Sequence, residues 1–208
     1  MTQYGFYFDS SRCTGCKSCE LACKDYNDLG PDILMRKIID FEGGTWTQDE
    51  ATGAWTTDTF GYSVSAGCNH CDNPACVANC PTGAMVKDAE TGLVSSNPDV
   101  CIGCGMCVES CPYEMPKLHT EAGHCVKCDG CKARVLAGEK PMCVDACPLH
   151  ALDFGPIEEL RASYGDVADI DPLPDSSMTD PNLVVKVITA AEGAASKGGT
   201  IANPLEIA

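Results

Sequence analysis

No run of apolar residues approaches the roughly 20 that a bilayer span needs. The opening residues, MTQYGFYFDSSRC, show neither a basic region followed by an apolar one nor a twin arginine. A membrane-spanning helix and an export signal are therefore not expected. Such a chain either stays in the cytoplasm or crosses a membrane already folded, beside a partner that carries a twin-arginine signal. Basic side chains are scarce too: 14 Lys and Arg face 30 Asp and Glu, for a formal charge of -16. Phosphate recognition needs a basic face, so nucleic acid is excluded as a partner. The deficit is chain-wide, with ten acids to three bases over 151–208 and twenty to eleven before it, which fits solubility rather than a local charged device. Hydrocarbon is also short. The 44% of hydrophobic residues counts the cysteines, and without them about 36% of the chain remains to build a core. Something besides apolar burial must hold the fold.

Cysteine is what the chain has in excess: 17 of 208 residues, close to the level of a cysteine-organised scaffold. A disulfide ladder is the ordinary explanation in a secreted chain. Here the count is odd, no export signal is visible, and the cysteines recur mostly at gaps of two and three residues, with a widened second gap in group two and an eleven-residue insert in group four, a spacing that belongs to metal ligation. They form four groups that repeat one another. Group one is Cys13, Cys16, Cys19, Cys23; group two is Cys68, Cys71, Cys76, Cys80; group three is Cys101, Cys104, Cys107, Cys111; group four is Cys128, Cys131, Cys143, Cys147. Every group ends in Cys-x-x-x-Cys, and three run on into proline, at Pro81, Pro112 and Pro148.

A [4Fe-4S] cubane takes four thiolates, one per iron. Cys-x-x-Cys-x-x-Cys lets one tight loop present three of them, with loop amides free to point at the sulfides. The fourth cysteine, three residues on, is expected at the start of a short helix and facing away, where it serves the other cluster of a pair. A proline after it suits a chain that turns sharply and needs no amide donor there. Zinc competes, because paired Cys-x-x-Cys units also build four-thiolate sites, but zinc has little use for a third cysteine two residues further on or for repeated Cys-Pro endings. The spacing thus predicts four [4Fe-4S] clusters on sixteen cysteines. It leaves the pairing open: groups two and three inside groups one and four, or one with two and three with four.

The remaining candidates read mainly as structure. Cys125 is left over and is expected as a small buried filler or inert thiol near group four. His70, His119, His124 and His150 lie in or beside the groups, but no ligand position lacks its cysteine, so histidine ligation is not required. Arg12, Lys17, Lys24, Lys127 and Lys132 read first as solvated surface, with compensation of cluster charge as the alternative. No nucleophile with its base, phosphate loop or open metal site can be read, so no catalytic residue is assigned.

Between groups two and three, GAMVKDAETGLVSS reads as a hairpin turning at Glu90-Thr91-Gly92. ALDFGPIEELRASYG reads as a strand and then a helix with Pro156 near its first turn. Residues from about 32 to 65 carry the β-branched and aromatic content of two or three strands, with Trp46 and Trp55 expected to pack among them. From Gly165 onward Asp, Pro, Ser, Ala and Gly dominate, and only NLVVKVI looks strand-like; this is an arm rather than a domain.

The order of the four groups, together with YGFYFDSSRCTGCKSCELACKDYNDLGPD, CNHCDNPACVANCPTGAM, DVCIGCGMCVESCPY, GHCVKCDGCKARVLAGEKPMCVDACPLHALDFGPIEEL and the closing ANPLE, resembles the iron-sulfur subunits of molybdopterin oxidoreductases. Within them the chain is similar to the B subunits of anaerobic dimethyl sulfoxide reductases. The resemblance covers nearly the whole chain. It implies a three-part enzyme of anaerobic respiration: a catalytic subunit with a molybdenum bis(guanine dinucleotide), this electron-transfer subunit, and a membrane anchor that oxidises menaquinol. The chain would then be peripheral to the cytoplasmic membrane through its partners. The resemblance also implies an α+β fold of two ferredoxin-like two-cluster modules, one nested in the other. The first spans 1–57 and 117–164, with a β insertion at about 32–57; the second spans 58–116; 165–208 is the extended C-terminal arm. The implied ligand sets are Cys13, Cys16, Cys19 with Cys147; Cys128, Cys131, Cys143 with Cys23; Cys68, Cys71, Cys76 with Cys111; and Cys101, Cys104, Cys107 with Cys80. Some relatives replace a group three cysteine by tryptophan, whereas here all are present. Gly105-Met106 stands where relatives often have bulkier or basic residues. The same relay for another molybdenum or tungsten enzyme, acting on formate, polysulfide, tetrathionate or a catechol, remains an alternative, as do a free polyferredoxin and a zinc-organised scaffold.

Overall fold

A computed structural model describes residues 2–207 of the chain. Its elements run β1 (Tyr4–Asp9), α1 (Ser18–Tyr26), β2 (Arg36–Gly43), β3 (Trp46–Gln48), β4 (Trp55–Thr57), β5 (Phe60–Gly67), α2 (Ala75–Ala78), β6 (Met85–Lys87), β7 (Val94–Ser96), α3 (Met106–Ser110), β8 (Lys117–His119), β9 (His124–Val126), α4 (Lys132–Leu136), α5 (Met142–Asp145), β10 (Leu152–Pro156), α6 (Ile157–Tyr164), β11 (Leu183–Lys186) and β12 (Thr200–Ile201). Mixed helices and strands agree with the α+β expectation, and the helices are short.

The strand YGFYFD is apolar at nearly every position, the pattern of a strand covered on both faces. It lies at the centre of a three-stranded sheet, antiparallel to β10 (Phe6 opposite Phe154) and parallel to β11 (Phe6 opposite Leu183). One face carries Tyr7 and Val184 under Ile157 and Leu160 of α6, with Tyr7 and Tyr164 stacked at 3.8 Å between ring centroids. The other face sends Phe6, Phe8 and Phe154 into the main core, which also contains Ile38, Val64, Leu152, Val185 and several of the cysteines. Burying one such aromatic contributes roughly 1.5–3 kcal/mol.

A second sheet pairs β2 with β5 over eight residues and adds β12 at its edge. The hairpin expected around Glu90 is present as β6 and β7, and Pro156 stands at the N-terminal boundary of α6. The C-terminal arm is woven in. It supplies β11 to one sheet and β12 to the other, and buries Ile170, Asn182, Val184 and Ala194.

Trp46 and Trp55 depart from expectation. They sit on the isolated β3–β4 ribbon, 63% and 58% exposed, in a stretch from Thr45 to Thr59 with every residue exposed. β2 and β5 already supply the buried side chains of that sheet, Ile38, Ile39, Phe41, Tyr62 and Val64. The ribbon lies beyond their ends with no second layer to cover it.

Candidate metal centres

Each cysteine group folds as a loop running into a helix. The residue before the second cysteine is left-handed in all four: Gly15, Gly103 and Gly130 at φ +66°, +64° and +74°, and His70 at φ +46°. That turn brings the first two sulfurs round to the helix start. The third cysteine is then the second residue of a helix each time, Cys19 in α1, Cys76 in α2, Cys107 in α3 and Cys143 in α5. The fourth lies one turn on: Cys23 within α1, Cys111 at the C-terminal boundary of α3, and Cys80 and Cys147 just past α2 and α5. The expectation that this last cysteine would begin the helix and face away is corrected. Residues at i and i+4 share a helix face, and it is the axial rise of about 6 Å over four residues that separates the two sulfurs.

Three cavities collect four group cysteines each. One is lined by Cys13, Cys16, Cys19 and Cys147, one by Cys68, Cys71, Cys76 and Cys111, and one by Cys80, Cys101, Cys104 and Cys107. The other four sulfurs lie within reach of one another's charge and of the neighbouring sites: Cys23 feels Cys143, Cys131 and Cys19, and Cys128 feels Cys68, Cys23 and Cys143. Each gathering therefore takes three cysteines from one group and the last from another. All seventeen cysteines are free thiols. Among the described residues no group of three or more His, Cys, Asp or Glu side chains is placed to hold a single metal ion.

Donors already point at the sulfurs. The amides of Ala151, Gly130, Cys125 and Met85 donate to Cys147, Cys128, Cys101 and Cys80 at 3.2, 3.3, 3.3 and 3.4 Å, and the Thr179 hydroxyl donates to Cys71 at 3.2 Å. Such bonds stabilise thiolate ligands and tune the group they hold. Burial acts in the opposite sense on the bare thiols, pushing Cys13 and Cys71 up to about 11 and Cys23 and Cys76 to about 12.

Buried cations give an independent test of what fits. Arg36 and Lys127 are 4% and 5% exposed, and neither has an ion-pair partner among the described residues. Burial alone would push both down; nearby sulfurs hold them up, Cys143, Cys19, Cys128 and Cys23 around Arg36 and Cys68, Cys128 and Cys76 around Lys127. Buried charges are normally paired, so these cations call for ionised sulfur, the state that metal ligation produces. The donor set, the cavities and the cations together fit iron-sulfur clusters. They also order the sites: Arg36 lies between the Cys19 and Cys143 sites, and Lys127 between the Cys128 and Cys68 sites. Cys76 and Cys107 share a hydrophobic cluster. Exposed cysteines, Cys16 and Cys104, occur only at the two ends of this row.

Comparison with known proteins agrees with that geometry. Residues 59–157 match the 4Fe-4S dicluster domain family and residues 10–27 a 4Fe-4S binding domain family. The B subunit of the anaerobic dimethyl sulfoxide reductase of Haemophilus influenzae is 54% identical over 207 residues, covering the full length of both proteins. Its counterpart in Escherichia coli is 52% identical over 99% of both. The chain therefore belongs to this family of reductase B subunits. A more distant relative, protein NrfC of Escherichia coli, is 37% identical over 76% of this chain and 67% of its own.

As a member of the family the chain is an iron-sulfur protein of electron transport. No helix among the described residues is long and apolar enough to cross a membrane.

Two residues near the sites differ from their sequence expectations. Cys125 is the buried filler expected, but it lines the group three cavity: the β8–β9 hairpin buries it beside Cys101 and Cys107. Lys127 is interior, donating to the carbonyls of Val94 and Cys128, whereas Lys17, Lys24 and Lys132 make surface contacts with Glu206, the Gly30 carbonyl and Asp88. Arg36 was invisible to sequence reasoning. It precedes a strand-like run as an ordinary surface arginine would, and its surroundings come from groups one and four, far along the chain. His70 is a satisfied buried histidine as expected, its Nδ1 accepting the Val94 amide at 2.9 Å.

Proposed function

We propose that the chain is the electron-transfer subunit of a three-part reductase and carries four [4Fe-4S] clusters. It would relay electrons from a menaquinol-oxidising membrane anchor to a molybdopterin catalytic subunit that reduces dimethyl sulfoxide or a similar acceptor. The ligand sets are Cys13, Cys16, Cys19 and Cys147; Cys23, Cys128, Cys131 and Cys143; Cys68, Cys71, Cys76 and Cys111; and Cys80, Cys101, Cys104 and Cys107. Each cluster, when bound, takes up and gives back one electron.

One observation carries this reading: each gathering draws its last cysteine from another group, the crossed arrangement of two-cluster ferredoxin modules. Groups one and four exchange cysteines, as do groups two and three, which supports a module of 58–116 nested within one built from 1–57 and 117–164. The chain's own residues keep water from the two inner sites, compensate their charge with Arg36 and Lys127, and leave Cys16 and Cys104 at the surface as opposite ends of a path. A relay between two partners needs two such ends.

Anaerobically isolated protein should contain about sixteen iron and sixteen sulfide per chain, as four cubanes require. Four zinc without sulfide would overturn the proposal.

A further inference from the structure

His70 occupies the loop position that the other three groups give to glycine, and it holds the same left-handed conformation. A non-glycine residue there costs roughly 1–2 kcal/mol, so the reason for histidine lies in its side chain. The ring is 0% exposed. Because Nδ1 accepts the Val94 amide at 2.9 Å, the ring proton belongs on Nε2, and Nε2 lies 3.9 Å from the sulfur of Cys128 in group four. The two loops are pressed together here: a Cβ at Gly130 would come within 2.9 Å of Leu93 and 3.4 Å of His70 Nε2. Val94 clamps the seam from both sides, its amide on His70 and its carbonyl on Lys127. The His70 carbonyl is fixed in turn by Asn182 at 2.9 Å.

We infer that His70 is a positioning residue of the electron path, donating from Nε2 to the Cys128 thiolate across the seam between the group two and group four loops and favouring the reduced state of the cluster held there. The inference rests on the ligand sets proposed above. A donor to a ligand sulfur offsets the charge that arrives with an electron, which raises the reduction potential. The same bond ties the loop carrying Cys68 and Cys71 to a ligand of the neighbouring site.

Two substitutions separate the donor from the acceptor. In His70→Asn, Oδ1 stands near Nδ1 and keeps the Val94 contact while the donor to Cys128 is lost. In His70→Gln, Nε2 stands near the imidazole Nε2 and keeps the donor. EPR-monitored redox titration of the intact membrane complex should show one of four midpoint potentials lowered in His70→Asn, by a tenfold loss of reduced-state stabilisation or about 59 mV, and near wild type in His70→Gln. A wild-type profile in His70→Asn, or an equal shift of all four potentials, overturns the inference. If either variant binds too little iron to titrate, wild-type protein with 15N-labelled histidine decides. Pulsed EPR should detect a histidine nitrogen coupled to the cluster that Cys128→Ser perturbs, and its absence overturns the inference. Absence of cluster signals from the wild type would instead overturn the proposed function, so the two failures are distinct.

Discussion

Arg36 shows how a single side chain can record a group bound around it. Its guanidinium donates to the Ser65 carbonyl and hydroxyl at 3.3 and 3.0 Å and lies 4.9 Å over the Phe6 ring, contacts that hold it without neutralising it. In a metal-free chain burial pushes the thiols of Cys19, Cys128 and Cys23 up, Cys23 to about 12, and these three leave the cation uncompensated. With thiolate ligands it becomes one half of a buried ion pair. Arg36→Met should therefore cost the iron-loaded protein about 3–5 kcal/mol, the usual penalty for stripping one partner from such a pair, while leaving the metal-free protein unchanged or more stable. Anaerobic denaturant melts of both forms measure this, and an equal penalty in both would refute the charge argument. The contrast also explains what could be read beforehand. Lys127 adjoins Cys128 in sequence and is named on that ground, whereas Arg36 meets Cys19 and Cys143 only after β2 has packed against α1 and α1 against α5.

At the scale of elements, the unit that recurs in groups one to three is a left-handed turn followed by a helical turn with cysteines at its two ends; group four splits it, its left-handed turn leading into α4 and its last two cysteines lying in and just past α5. That unit is local, which is why sixteen sulfurs could be assigned to four groups from spacing. The direction in which each unit hands over its last cysteine is set by helix packing, α1 against α5 and α2 against α3, and spacing alone left two pairings open. Cys111→Ser tests the exchange. Cys111 ends α3 but lines the cavity of Cys68, Cys71 and Cys76, so EPR should show the signal of that site altered or lost, with the Cys101, Cys104, Cys107 site intact. Damage confined to the latter would mean that each group ligates its own cluster. The tryptophans mark the opposite limit: a β-branched, aromatic stretch was legible as strand, but β3 and β4 were not legible as an uncovered ribbon, because coverage depends on what the rest of the chain brings to them.

For the molecule as a whole, the row of sites runs across elements drawn from the entire sequence, and the C-terminal arm is part of its support. Compositional bias makes residues 165–208 read as an arm rather than a domain. Yet β11 pairs with β1 at the centre of the main sheet, Tyr62 donates to the Asp171 carbonyl at 2.9 Å, and Thr179 reaches the Cys71 sulfur. With only about a third of the residues apolar apart from cysteine, the fold depends on both the bound iron and these long-range contacts. Metal binding then adds directly to the free energy of folding. A chain ending at Gly165 retains all sixteen group cysteines, so a dispensable arm predicts full loading. The contacts predict otherwise: loss of the β11 pairing and of the Thr179 donor should reduce iron by roughly the four atoms of the Cys71 site or more and lower the thermal midpoint of what remains. Iron analysis of the truncated protein, alongside an Asn182→Ala variant that frees the His70 carbonyl but keeps β11, separates the pairing contribution from the local one.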